Sequence, residues 1–152
     1  FHLLDEGVTD RLVKLNVDSV LQMTELVLPG MVGRVEQGKH AAVLNIASAA
    51  GLTGSPLLAV YGAAKAFVER LTIAMATEYP KIDFQVHSPY MIVSKLSKIR
   101  KPSLTVPTPK TYAKAVVARM GRETHCQAYW AHALQGAIHT RLPQSVVDAA
   151  QL

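Results

Sequence analysis

Residues 41–47 read Ala-Ala-Val-Leu-Asn-Ile-Ala and are followed directly by Ser48. The run is short and almost continuously apolar, which is typical of a strand in a parallel sheet that is covered on both faces. Apolar residues recur mostly at steps of three and four on both sides of it, over 9–31 and over 59–79. Such spacing predicts one helix before the strand and another after it.

The rest of the sequence continues this alternation. Pro29 and Gly30 predict the end of the first helix, with a polar turn at 33–40. Further elements are expected as a strand at 82–87, a loop at 88–109, a helix at 111–120 and a strand at 128–134. The order predicts an α/β fold with parallel strands and right-handed crossovers. The first strand would lie at the edge of this small sheet unless residues before Phe1 pair with it.

Bulk composition narrows the class of protein. A length of 152 residues with 49% hydrophobic and 18% charged residues suffices for one domain with a buried core. The only cysteine, Cys126, excludes an internal disulfide framework and is expected to be a buried small hydrophobe. No apolar run approaches the roughly 18 to 20 residues of a membrane-spanning helix, and the first residues lack the pattern of a signal peptide.

The net charge of +5 would suit a nucleic acid, an anionic membrane surface or a phosphate-bearing ligand. Aromatic residues are few and are not interleaved with the basic ones as stacking platforms would be, so nucleic-acid binding is not predicted. The basic stretch at 95–101 is either a solvated loop or a site that attracts phosphates.

Three polar residues lie where chemistry is expected. Ligands of open α/β sheets bind beyond the carboxyl ends of the strands, and Ser48 follows such an end. Tyr61 and Lys65 are four residues apart in a predicted helix, so the phenol and the ammonium lie one turn apart on one face. A carbonyl that accepts hydride becomes an alkoxide, for which Tyr61 can supply a proton and Ser48 a second hydrogen bond. Lys65 is placed to stabilise the phenolate.

The motifs and their order resemble the short-chain dehydrogenase/reductase family. They are Leu-Asn-Ile-Ala-Ser at 44–48, Tyr-Gly-Ala-Ala-Lys at 61–65 and Ser-Pro-Tyr-Met-Ile-Val-Ser-Lys-Leu at 88–96. The resemblance implies an NADP(H)-dependent oxidoreductase built as the C-terminal half of a doubly wound, Rossmann-like sheet. Asn16 matches the family's helix Asn, which completes the catalytic set by holding a water against Lys65.

The resemblance also implies which residues bind the nicotinamide cofactor. The backbone around Ile92 and Val93, with Ser94, would hold the carboxamide. The full expected set is Asn16, Tyr61, Lys65, Pro89, Ile92, Val93 and Ser94.

Pro89-Tyr90 stands where many family members carry Pro-Gly, as in the branch of very-long-chain 3-oxoacyl-CoA reductases and 17-beta-hydroxysteroid dehydrogenases. Residues 95–104 and 129–136 resemble that branch too. The expected substrate is therefore a 3-oxoacyl-CoA of fatty acid elongation. A steroid or retinoid reductase and a non-catalytic scaffold with the reductase fold remain as alternatives.

The family's Gly-rich phosphate loop and the residues that select NAD or NADP would lie upstream of Phe1. Residues 1–152 are therefore expected to be the catalytic half of a single domain whose dinucleotide-binding half is absent. An apolar anchor in that half would place the enzyme on the endoplasmic reticulum, and without one it would be cytoplasmic. A homodimer or tetramer is expected to form through the two long helices, with Phe67 or Val68 at the interface.

His125, His132 and His139 recur every seven residues. On a helix their rings would start about 10 Å apart, too far for one zinc with ligands near about 2 Å. Metal binding is not predicted, and surface or satisfied histidines are the expected interpretation.

Overall fold

The computed structural model describes residues 4–143 and 145–147. The chain opens with a long helical stretch made of α1 (Val8–Val13), a π-helical segment (Lys14–Asp18) and α2 (Ser19–Glu36). The remaining elements are β1 (Ala42–Ile46), a 3-10 helix (Ala49–Gly51), α3 (Ala59–Glu78), β2 (Asp83–His87), α4 (Pro109–Arg119), β3 (His125–Cys126) and α5 (Trp130–His139).

The three strands form one parallel sheet in the order β1-β2-β3. Ile46 at the end of β1 is in register with His87 at the end of β2, so the two strands finish side by side. This confirms the predicted α/β fold with a parallel sheet, and β1 lies at the edge of the described sheet. Over 4–143 and 145–147, no helix has both the length and the apolar character that crossing a membrane requires.

Buried side chains lie between the sheet and the helices. Val68 of α3 packs with Ala47 and Val86 in one cluster. A second cluster joins α4 to the region of β3 and contains Tyr112, Val116, Cys126 and Ala128. The expectation that Cys126 is a buried small side chain is confirmed.

The third strand lies elsewhere than the sequence predicted. Residues 128–134 were expected to be a strand, but Trp130 begins α5, and β3 is the two-residue strand before it. The apolar run of 128–134 is rich in alanine and leucine, which favour helices, and a short apolar run cannot be assigned by periodicity alone. Strand pairing with β2, a contact distant in sequence, selects His125 and Cys126 instead.

The first helix also extends further than predicted. Pro29 lies inside α2, which continues to Glu36, so the expected turn at 33–40 begins only after that residue. A proline inside a helix removes one hydrogen bond and crowds the carbonyl four residues back, at a cost of about 3 kcal/mol, but its fixed φ is helical and the helix can continue through it. Gly38, with φ of 73°, follows the helix in the left-handed conformation that commonly ends helices.

Candidate active site

Ser48 lies where the carboxyl ends of β1 and β2 are tied together. The amide of Ala47 donates to the carbonyl of His87 at 2.8 Å, and the amide of Ala49 donates to that of Pro89 at 2.9 Å. The Ser48 backbone is extended between these two bonds. The pairing places Ser48 beside Pro89 at the edge of the sheet where α/β proteins bind ligands.

A close backbone contact joins the 3-10 helix to the start of α3, and we call it the glycine contact. A Cβ added to Gly51 would lie 2.6 Å from the Ala66 nitrogen, and one added to Gly62 would lie 2.7 Å from the Ala50 carbonyl oxygen. Real Cβ atoms do not approach backbone atoms so closely, so only glycine fits at both positions. The glycine contact holds the first turns of α3 directly against the segment that follows Ser48.

Lys65 and Tyr61 project from these first turns of α3. The Lys65 Nζ donates to the carbonyl of Ile46 at 3.2 Å, two residues before Ser48, and lies 5.7 Å from the centroid of the Tyr61 ring. Burial lowers the pKa of the Lys65 ammonium. The Ser48 Oγ accepts a hydrogen bond from the Ala50 amide at 3.2 Å. The structure therefore brings Ser48, Tyr61 and Lys65 to one end of the sheet.

Asn16 lies in the π-helical segment, which packs against α3. Its Nδ2 donates to the carbonyl of Leu12 at 3.0 Å, one turn back in the same helix. π-helical turns are rare and recur at functional sites. Asn16 thus lies on the element that faces α3, while its amide nitrogen is engaged within its own helix.

The predicted carboxamide-binding residues lie in the loop between β2 and α4. The Val93 amide already donates to the carbonyl of Pro107 at 3.1 Å, and the Ser94 amide donates to the Ser97 Oγ at 3.1 Å. Among the described residues, the Ile92 amide has no such partner. The loop therefore fits a nicotinamide group best through the Ile92 amide, with Pro89 tied to the Ser48 segment.

The same loop encloses an open cavity of about 550 Å³. Its lining residues are Val93, Ser94, Lys95, Lys98, Ile99 and Arg100. Lys98 has a φ of 58°, in the left-handed region that costs a side-chain-bearing residue free energy. Three cationic side chains around one cavity suit an anionic group such as a phosphate.

One polar cluster beside the site was missed from the sequence. The buried Glu69, one turn after Lys65, accepts a hydrogen bond from the Ser88 hydroxyl at 3.1 Å. The His125 Nε2 lies 3.2 Å from the Ser88 Oγ and 3.5 Å from the Glu69 Oε2. The sequence signal that could have identified this cluster was Glu69, a carboxylate on the buried face of a predicted helix. The cluster joins α3, the end of β2 and β3 directly behind Pro89.

The three evenly spaced histidines do not share one helix. His125 lies in β3, while His132 and His139 lie in α5. His132 is completely buried, and His139 Nδ1 lies 3.0 Å from the Tyr90 hydroxyl. In the part of the chain that the structure describes, no group of three or more His, Cys, Asp or Glu side chains could hold a metal ion.

Sequence comparison identifies related proteins. The short chain dehydrogenase family model matches residues 1–103. The very-long-chain 3-oxoacyl-CoA reductase of Anas platyrhynchos is 40% identical over 146 residues, which are 95% of this chain and 45% of that protein. The chain spans about half the length of the curated relatives it matches.

Two solved structures show the same fold. A short chain dehydrogenase from Burkholderia cenocepacia J2315 in complex with NADP has a TM-score of 0.73 at 18% identity, covering 97% of this chain and 62% of that one. The 3-ketoacyl-(acyl-carrier-protein) reductase from Brucella melitensis, complexed with NADH, has a TM-score of 0.62 at 27% identity over 95% and 54% of the two chains. The chain therefore belongs to the short-chain dehydrogenase/reductase family.

Proposed function

We propose that this chain supplies the catalytic half of an NADP(H)-dependent reductase that reduces the ketone of a 3-oxoacyl-CoA. The observation that carries the proposal is the glycine contact, because it places Tyr61 and Lys65 of α3 against the segment that begins with Ser48. The names of the relatives support the substrate class. Family members bind either NADP or NADH, so the preference for NADP(H) is part of the proposal.

A bound nicotinamide cofactor supplies the hydride. Ser48 holds the substrate oxygen by a hydrogen bond, and Tyr61 delivers a proton to that oxygen as negative charge develops on it. Lys65 stabilises the phenolate that Tyr61 becomes, and its lowered pKa eases the passage of a proton through its nitrogen. Asn16 relays protons toward Lys65. The backbone around Ile92 and Val93, with Ser94, would orient the carboxamide, chiefly through the Ile92 amide.

Replacing the proton donor tests the reaction directly. In the full-length protein, Tyr61→Phe should lower kcat about 100- to 10,000-fold, since a positioned general acid contributes that much. Cofactor affinity, measured by fluorescence titration, should change little. Tyr79→Phe, at the far end of the same helix, is the matched control and should keep full turnover. Undiminished turnover of Tyr61→Phe would refute the mechanism.

A substrate panel separates the proposed function from its alternatives. Turnover of 3-oxoacyl-CoA, steroid ketones and retinal should be measured with NADPH and with NADH. The basic cavity at Val93–Arg100 supports the CoA ester, whose phosphates it would attract. Lys98→Gln should therefore raise the KM for the CoA ester but not for a neutral steroid. Absence of turnover with every substrate would favour a scaffold with the reductase fold.

We also propose that a dinucleotide-binding half lies upstream of this chain in the complete protein. The outer edge of β1 is unpaired among the described residues, and Leu15, Leu26 and Ile46 expose large apolar side chains. Strands and helices of an upstream half would cover these surfaces and complete the cofactor site. An apolar anchor in that half would place the enzyme on the endoplasmic reticulum.

Self-association through the long helices is proposed as well. An open apolar groove of about 440 Å³ runs between Val13 and Val17 of the first helical stretch and Phe67 of α3. Phe67 is 36% exposed, whereas Val68 is 1% exposed and faces the sheet. Of the two residues expected at the interface, only Phe67 can therefore face a partner. Phe67→Asp should weaken a dimer in light scattering, while Val68→Asp should instead unfold the protein.

A further inference from the structure

Three polar side chains, one just before α5 and two within it, contact the loop that precedes α4. Tyr129 is the residue before α5 and has an extended backbone, whereas His132 and His139 lie seven residues apart in the helix and so on one side of it. The Tyr129 hydroxyl donates to the carbonyl of Leu104 at 3.0 Å, and the His132 Nε2 lies 3.1 Å from the carbonyl of Thr105. We call Tyr129 and His132 the α5 clasp.

His132 is the centre of this contact. Its side chain is completely buried and lies among the rings of Tyr90, Tyr112 and Tyr129. Because a carbonyl can only accept, the His132 Nε2 carries the proton that it donates to Thr105. Burial lowers the pKa of His132, while the Thr105 and Met91 carbonyls act in the opposite direction. A neutral imidazole is therefore fixed in one tautomer against the loop.

The clasp acts on the part of the loop that carries the candidate ligand-binding groups. Thr105 is two residues from Pro107, whose carbonyl accepts the Val93 amide at 3.1 Å. Val93 in turn lines the basic cavity. Loop backbone bound by single hydrogen bonds opens locally at low free energy, so loss of one such bond should change how often the loop opens.

We propose that His132, supported by Tyr129, is a positioning residue that holds the loop at 90–107 in the form that binds cofactor and substrate. It touches neither ligand, and it acts through Thr105, Pro107 and Val93. The part of this inference that concerns binding rests on the proposed function. The part that concerns the loop does not, because loop opening can be measured without any substrate.

Limited trypsin digestion of the full-length protein measures loop opening, because Lys95, Lys98 and Arg100 are all exposed in the loop and none of them precedes a proline. His132→Leu removes the donor while filling a similar volume, and should raise the cleavage rate in 95–101 about five- to tenfold. Cleavage after Lys39, in a turn remote from the loop, should stay unchanged. His132→Gln keeps a donor and should give an intermediate rate.

Two further variants keep the test decisive. Tyr129→Phe removes only a hydroxyl and should accelerate loop cleavage even if His132→Leu folds poorly. Leu134→Ala, at a position on α5 that is 56% exposed, is the matched control and should behave as wild type. In turnover assays His132→Leu should raise KM more than it lowers kcat, since the loss is one of ligand binding.

The outcomes separate the clasp from the proposed reaction. Unchanged loop cleavage in both His132→Leu and Tyr129→Phe would overturn the inference, as would equal acceleration at Lys39, which indicates global destabilisation. If no substrate is turned over but loop cleavage accelerates as expected, the clasp stands and the proposed function fails. If Tyr61→Phe abolishes turnover while the clasp variants keep wild-type KM and cleavage, the proposed function stands and the clasp fails.

Discussion

The two halves of the candidate site are held in place by different means. At the glycine contact, backbone packs on backbone without an intervening side chain, and the groups predicted to carry the chemistry project from it. The loop at 90–107 is instead held by separate side-chain hydrogen bonds, from Ser97 within the loop and from Tyr129 and His132 outside it. Close-packed backbone has no room to adjust, whereas a loop held by separate bonds can open bond by bond. The difference indicates that the region of the glycine contact is stiff, whereas the loop at 90–107 beside it can adjust to a ligand.

The largest expected effect comes from a methyl group in the glycine contact. Gly51→Ala would place a Cβ 2.6 Å from the Ala66 nitrogen, so α3 must shift away from the 3-10 helix. Overpacking of this kind typically costs about 1–3 kcal/mol of the free energy of unfolding. Because Lys65 begins the contacted stretch, turnover should fall as well. Urea denaturation and a kcat measurement check both effects.

Gly33→Ala is the matched control for that variant. Gly33 lies in α2, and an added Cβ would meet nothing within 4 Å. Alanine favours a helix by up to about 1 kcal/mol over glycine, so this variant should be neutral or more stable. If both variants were equally destabilised, the close contact at Gly51 would not explain the loss.

Lowering the pH should destabilise both regions, because each contains a buried histidine. Burial, followed by the charge of His125, lowers the pKa of His87 from 6.5, and burial lowers that of His132. In the unfolded chain both rings bind protons at about pH 6.5, so their contribution to stability is complete above that pH. This contribution to stability is lost as the pH falls through the lowered pKa values that the two histidines have in the folded protein. Denaturation midpoints between pH 8 and 5, about the range of histidine titration, should decline accordingly.

His87→Leu sharpens this prediction for the stiff region. Neither ring nitrogen of His87 has a hydrogen-bond partner among the described residues, so an apolar side chain of similar size loses no hydrogen bond there. The variant should be at least as stable as wild type at neutral pH and should show a shallower decline in acid. An unchanged acid profile would mean that His87 does not contribute to it.

The smallest effect is expected from one hydroxyl of the loop. The Ser97 Oγ donates to the Ile92 carbonyl at 2.7 Å and accepts from the Ser94 amide at 3.1 Å. Ser97→Ala should cost about 0.5–1.5 kcal/mol locally. Amide exchange at Ser94 should accelerate while the midpoint of global unfolding hardly changes. Thr77→Ala, in the exposed last turn of α3, should leave exchange at Ser94 unaltered.

The sequence was sufficient for features that depend on neighbouring residues. The order of helices and strands up to α4, the parallel sheet and the position of Ser48 at the end of β1 were predicted from local patterns and are confirmed. The spacing of Tyr61 and Lys65 likewise places both on the first turns of α3. The catalytic roles of these residues stay predictions.

Features that depend on contacts distant in sequence could not be predicted in this way. The third strand was misplaced because pairing with β2, and not local preference, selects His125–Cys126. To predict the glycine contact, one would have to know that α3 packs against the segment after β1. To predict the cluster of Glu69, Ser88 and His125, one would have to know that three separate elements meet there.

The π-helical segment at Lys14–Asp18 has a consequence for insertions and deletions. A turn with i→i+5 bonding holds about one residue more than an α-helical turn, so the segment accommodates an extra residue without changing the rotational phase of the helix that precedes it. Deleting one residue there would restore continuous α-helical winding and leave the rotation of α1 nearly unchanged, because about four α-helical residues turn as far as five π-helical ones. Val13 would then stay in its groove with Phe67, whereas deleting one residue from α2 would rotate α1 by about 100° and move Val13 out of the groove.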